Sequence, residues 1–242
     1  MAFETTRSSF GGTPRPKAFA WSYSKLKNFL SCPFRYYNYD VIKSVREPPS
    51  PQLERGFEIH DALAKRIAKG KPLPAEIADY EKYVQQFLHG ADQPGVKVFV
   101  EQKWSIDRNF NPLPDFFDRR TWFRAVADAV KIVGDVALNW DWKTGKPKDD
   151  VTQIVTAAAC LMAHHPEVQV VKNEFIWLEY DEKSTVIVRR DQLPEMWAGV
   201  LPKVAELEAA HAENKFPAKK NGLCREWCAV ETCLHHPDYN GA

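Results

Sequence analysis

The chain of 242 residues has no run of about 18 apolar residues, so no membrane-crossing helix is expected. Its opening stretch, MAFETTRSSFGGTPRPKAFA, lacks the apolar core of a secretory leader. The Gly, Pro and Ser there predict a flexible arm over residues 1–20. An excess of either charge is missing too. Lys and Arg number 33 against 32 Asp and Glu, so net charge does not announce a polyanion binder, and such binding would need local basic patches. No internal repeat or low-complexity tract is present, which leaves no case for a repeat architecture. Cysteine is scarce and odd in number, at five. Without a leader, that predicts a reducing, cytoplasmic setting and no disulfide framework. Three of the five, Cys224, Cys228 and Cys233, fall close together as C-x3-C-x4-C, a pattern better suited to metal ligation than to disulfides.

The hydrophobic share of 44%, with 12% aromatic, is enough for one substantial domain. SYSKLKNFL has helical spacing, with Leu26, Phe29 and Leu30 on one face and Ser22 or Ser24 as cap. Cys32-Pro33 interrupts it, FRYYNYDVI predicts a second short helix, and REPPSPQ a loop. LERGFEIHDALAKRIAKG predicts a helix with an Ile59, Leu63, Ile67 stripe and Gly70 past its end. Another helix is predicted over residues 75–89. The period then becomes two: VKVFVEQKWSI, TWFRAVADAVKIV and VALNWDWK read as strands, the last two joined by a Gly134-Asp135 turn. A helix in DVTQIVTAAACLMAHH, strands in VQVVKNEFIWLEY and STVIVRR, and a long helix from Asp191 complete the order. Pro202 predicts a kink or break in that last helix. Cys160, in the Ala-rich helix, reads as a small buried hydrophobe. The order divides the chain into a helical segment (21–95), a sheet-bearing core (96–190) and a C-terminal helix with a Cys-rich tail (191–242). The fold class is α/β, with a mainly antiparallel or mixed central sheet flanked by helices.

The stretch NWDWKTGKP carries the most chemistry. Asp141 and Lys143, two apart on a strand, share a face. A two-residue Gly134-Asp135 loop sets Asp128 opposite Asp141. Facing carboxylates repel unless a cation lies between them, and hard ions such as Mg²⁺ or Mn²⁺ favour oxygen ligands. Lys143 beside them could orient a water or offset charge on a phosphate. The alternative is a solvated ion pair on the surface. Glu101 lies on the preceding strand, His60 on a helix four residues after Gly56, and Gln153 on the helix that follows.

Taken in order, G-x-x-x-H on a helix, Glu and Asp on strands, D-W-K-T-G-K and then Gln on a helix resemble the PD-(D/E)XK nuclease superfamily. The set is most similar to its RecB-type branch, which includes CRISPR adaptation nucleases, the AddB subunit and related phage exonucleases. SYSKLKNFLSCPFRYY is similar to that branch's N-terminal signature, and the likeness runs from about Ser22 to Cys233. The resemblance implies a restriction-endonuclease-like core and hydrolysis of DNA phosphodiesters, as an exonuclease on single strands or ends in recombination, replication or phage DNA processing. It implies Mg²⁺ or Mn²⁺ on His60, Asp128, Asp141 and the main-chain carbonyl of Trp142. Lys143 would act on the attacking water and the transition state, Glu101 would hold a second metal or a water, and Gln153 would support the site. Where relatives carry Tyr four residues after that Gln, this chain has Ala157. The branch also implies a four-iron four-sulfur cluster on Cys32, Cys224, Cys228 and Cys233, joining the N- and C-terminal segments. The tail spacing differs by one residue from the usual, which leaves zinc open, on four thiolates or on three with His235 or His236. Recombinase, helicase or integrase partners follow from the same likeness. Other readings are a prespacer-trimming nuclease, a non-catalytic DNA-binding subunit, and an iron–sulfur electron carrier.

Overall fold

The computed structural model describes residues 19–46, 50–148 and 150–239. The arm expected over residues 1–20 falls outside them except for its last two residues. The middle layer is a mixed sheet of β1 (Trp21–Ser22), β2 (Lys97–Ile106), β3 (Phe123–Val133), β4 (Val136–Lys143), β5 (Val170–Trp177) and β6 (Glu182–Arg189). Its order is β1-β3-β4-β5-β6, with β2 on the other edge of β3. Neighbours are antiparallel except β4–β5 and β1–β3. The parallel β4–β5 step needs a crossover, which α5 (Val151–His164) supplies.

Helices cover both faces. On one, α3 (Pro51–Lys69) and α4 (Glu81–Leu88) lay Ile59, Leu63, Val84 and Phe87 against Trp140, Trp142 and Ile176. On the other, α1 (Tyr23–Ser31), α5 and α6 (Leu193–Glu213) pack Leu26, Phe29, Cys160 and Leu207 against Trp21, Trp104 and Phe123. Cys160 is fully buried, as its helix position predicts.

Local chemistry explains the element ends. Ser22 accepts the Lys25 N–H at the start of α1. Ser50 caps α3, Pro51 opens it, and Gly70 ends it with φ of +66°. Gly134 turns the β3–β4 hairpin at φ +58°, closing the rung between Val133 and Val136. The predicted helix after Cys32-Pro33 is α2 (Pro33–Tyr36), which runs on as a π-turn to Val41. Two expectations change. The sheet gains β1, whose two residues are too short to show a period. And α6 runs unbroken through Pro202. Ala198 and Pro202 both lie on its exposed side, so the carbonyl left without an N–H partner can turn to water.

Candidate active site

The site lies where β3 and β4 part. Their ladder runs from Val133–Val136 to Ala129–Trp140 and ends there. Asp128 and Asp141 stand one step beyond the last rung, in the register that the hairpin predicts. In place of a further rung, the Asp128 carboxylate accepts the Trp142 N–H at 2.8 Å. Trp142 itself is a core residue by its indole, and its backbone lies at the fork.

A paired irregularity aims two carboxylates to one side. In β2 the residues facing the α5 side are Phe99, then Trp104 and Ile106; in β3 they are Phe123 and Ala127, then Val130 and Ile132. Each set contains an odd step, which a regular strand cannot make on one face. The two slips oppose each other, at Glu101 and Asp128, between the Val100–Ala129 and Gln102–Ala127 rungs. Glu101 takes up the slip with a left-handed φ of +49°. A β-region residue forced there costs about 1–3 kcal/mol, a strain common at functional sites. Glu101→Gly should therefore leave stability within about 1 kcal/mol of the parent in urea melts, whereas Lys103→Gly, two residues on in a regular rung, should lose about 1 kcal/mol. Equal losses at both positions would remove the strain argument.

His60 comes from α3. The glycine four residues before it lets α3 approach the D-x-K-T-G turn: a Cβ on Gly56 would stand 3.3 Å from Thr144 Oγ1. His60 Nδ1 then lies 3.4 Å from Asp128 Oδ2. Ligand atoms of His60, Glu101 and Asp128 fall within 4.8 Å of one another. Burial pushes the His60 imidazole down, but Asp128, with Asp141 and Glu101, outweighs it and holds the pKa above its ordinary value. Partial desolvation and then the Asp128 charge push Glu101 up, although its side chain still reaches solvent.

Across the fork, Asp141, Lys143 and Gln153 form a second group. Lys143 Nζ is 2.5 Å from Asp141 Oδ2 and donates to Gln153 Oε1 at 3.4 Å. Gln153 Nε2 donates to Asp141 Oδ1 at 3.0 Å. Burial and then the Asp128 charge raise the Asp141 pKa to about 6, against the lowering pull of Lys143. Gln153 lies in the first turn of α5, whose start also meets α1 through Lys27 Nζ and Asp150 Oδ2 at 2.9 Å. Nothing in the D-x-K pattern points to Lys27 or Asp150; the one available signal is an Asp just before a helix. Ala157 lines a cleft beside Asp141 and Gln153.

The four cysteines Cys32, Cys224, Cys228 and Cys233 line one small cavity, with Arg35 and Asn221. The N- and C-terminal segments are laced around it. Cys32 Sγ accepts the N–H groups of Arg35 at 3.5 Å and Lys219 at 3.3 Å. Asn221 Nδ2 donates to Ser31 O at 2.9 Å, and the Ala229 N–H to Tyr39 Oη at 3.0 Å.

No curated protein matches this sequence. Among solved structures, the fold is similar to the crystal structure of a candidate exonuclease from Eubacterium rectale. The two share 13% identity and a TM-score of 0.54, over 90% of each chain. The sequence pattern of the PD-(D/E)XK nuclease superfamily matches residues 20–233, a span that takes in both cysteine segments and every side chain at the fork. The chain therefore belongs to the PD-(D/E)XK nuclease superfamily.

Proposed function

We propose that the protein is a divalent-metal-dependent deoxyribonuclease, an exonuclease acting on single strands or DNA ends. The observation that carries this reading is the convergence at one strand fork of His60, Glu101 and Asp128 with Asp141, Lys143 and Gln153. One imidazole and two carboxylates within 4.8 Å suit a hard cation such as Mg²⁺ or Mn²⁺, and crowded carboxylates with raised pKa values are relieved by one. Asp141 and the Trp142 carbonyl would serve as further ligands across the fork. A cation held there would neutralise phosphate charge and make a water more acidic. The chain's own groups do the rest. Lys143, oriented by Gln153, sets a positive charge where the phosphate gathers negative charge. Asp128 keeps the fork open by taking the Trp142 N–H. Cleavage of end-labelled single- and double-stranded DNA with Mg²⁺, Mn²⁺ or EDTA tests the reading. Metal-dependent shortening from one end is expected; no cleavage of any DNA by protein that binds Mn²⁺ would overturn it.

Protons compete with the cation. Asp141 titrates near pH 6 and His60 above its ordinary value, and both must be deprotonated to bind. Mn²⁺ affinity should thus rise steeply as pH climbs through about 6 in calorimetric titrations. Stability of the metal-free protein should move oppositely. The folded Asp141 pKa exceeds the unfolded value of 3.8, so its contribution is present below that pH and lost as pH rises through about 6.

The cysteine cavity is proposed to hold a four-iron four-sulfur cluster. A tetrahedral zinc site, with bonds near 2.3 Å, places its sulfurs about 3.8 Å apart. N–H groups directed at the Cys32 and Cys224 sulfurs suit thiolate ligands, which either centre would use.

A further inference from the structure

We propose that the cleft beside Asp141 and Gln153 takes one unpaired nucleobase of the strand being cleaved, next to the phosphate at the fork. The inference rests on the nuclease reading and names what that site recognises. The cleft arises from missing rungs. Along one edge of β3, Phe123–Arg124 pair with β1 and Ala129–Val133 with β4, which leaves residues 125–128 without a strand partner there. The opening has a volume of about 530 Å³, within the range of small-molecule pockets. Ala125, Ala127 and Ala157 give its walls width, and Tyr23 and Phe116 give it aromatic faces.

Chemistry narrows the occupant. The Arg124 guanidinium lies 5.4 Å from the Phe116 ring and 5.0 Å from that of Phe117, which is 70% exposed. Rings interleaved with cations are how proteins hold unpaired strands, by stacking and backbone charge. The wall also carries Asn139, only 5% exposed. Its amide orientation follows from a chain of bonds. Asn173 Nδ2 donates to the carbonyls of Val171 and Val186, both at 3.3 Å, so its oxygen faces Asn139 Nδ2 at 2.9 Å. The Asn139 oxygen is left without a partner among the described residues and without accessible surface, so it meets the N–H edge of a base only where the wall yields to the occupant. Asp141 in the lining favours a neutral base over a phosphate beside it, and Lys25, Lys27 and Arg124, which also line the cleft, suit the backbone of the strand. A base within a duplex must unpair and leave its stack to enter the cleft, so the cleft selects unpaired nucleotides.

The first test uses the unmodified protein in EDTA with oligonucleotides that carry 2-aminopurine at successive positions from the end. A fluorescence change confined to one position is expected; a uniform change, or none despite binding, overturns the proposal. The second replaces that nucleotide by an abasic one and measures cleavage with Mn²⁺. A loss of at least about fivefold at that position alone is expected, the size of one stacked base. Equal rates at every position overturn the pocket and leave the nuclease standing, whereas absence of all cleavage strikes the nuclease reading. Ala157→Phe, checked for folding by its melting curve, should fill the cleft. Base-bearing DNA should then be cut no faster than abasic DNA, and a retained difference counts against the pocket.

Discussion

Replacing Lys143 by alanine will lower DNA cleavage by about 10²- to 10³-fold, with a melting temperature close to that of the parent protein. The size follows from what the ammonium does. It is fixed before substrate arrives, by Asp141 Oδ2 at 2.5 Å, by Gln153 Oε1 at 3.4 Å and by the Phe175 ring 5.0 Å away. A charge already in place needs no reorganisation as the phosphate gains charge, which makes it worth more than a mobile one. Folding depends on it less, because Asp141 becomes easier to protonate once the lysine is gone. Lys143→Arg should not rescue, since a planar fork cannot occupy the place of a point charge. The residual activity carries a second signature. Lys143 lowers the Asp141 pKa, so its loss should shift the acid limb of the rate profile to higher pH. A variant within about threefold of wild type would remove Lys143 from the transition state.

Cys32→Ser will produce the largest loss of stability. Protein purified without oxygen is expected to carry the visible absorption of an iron–sulfur chromophore, and the variant to lack it. The cluster would bridge residues nearly two hundred positions apart. Constraining a loop of that length is worth about 5 kcal/mol in the chain-entropy model. Cys160→Ser, inside α5 and not among the residues that line the cavity, should keep the colour. Colourless wild-type protein with zinc in stoichiometric amount would replace iron–sulfur by zinc.

The hairpin was readable because Gly134 can adopt a positive φ and a two-residue turn fixes register. That register placed Asp128 and Asp141 at the same level, and the structure keeps it up to Ala129–Trp140. The parting of the strands was not readable. It depends on Asp128 replacing a rung by accepting the Trp142 N–H, a side chain competing with a ladder. The opposed slips at Glu101 and Asp128 were also hidden, because each strand alternates well enough on either side of its irregular residue. Consequently Glu101, given a lesser role by its motif position, stands inside the tight group with His60 and Asp128, and Asp141 pairs with Lys143. The role of Gly56 was visible only as spacing until Thr144 supplied the reason for it. Asn139 and Asn173 gave no signal at all, since a lone Asn in a strand becomes informative only when its neighbour is known.

The lacing of Ser31 and Cys32 to Lys219 and Asn221 bears on how the chain is made. Translation is vectorial, at about 5–20 residues per second, so the partners of Ser31 and Cys32 are made well after them. A nascent chain that already carries Asp128, Asp141 and Lys143 still lacks Lys219 and Asn221, which clasp Ser31 and Cys32. Closure of the cysteine cavity therefore follows synthesis of the strands that carry the fork.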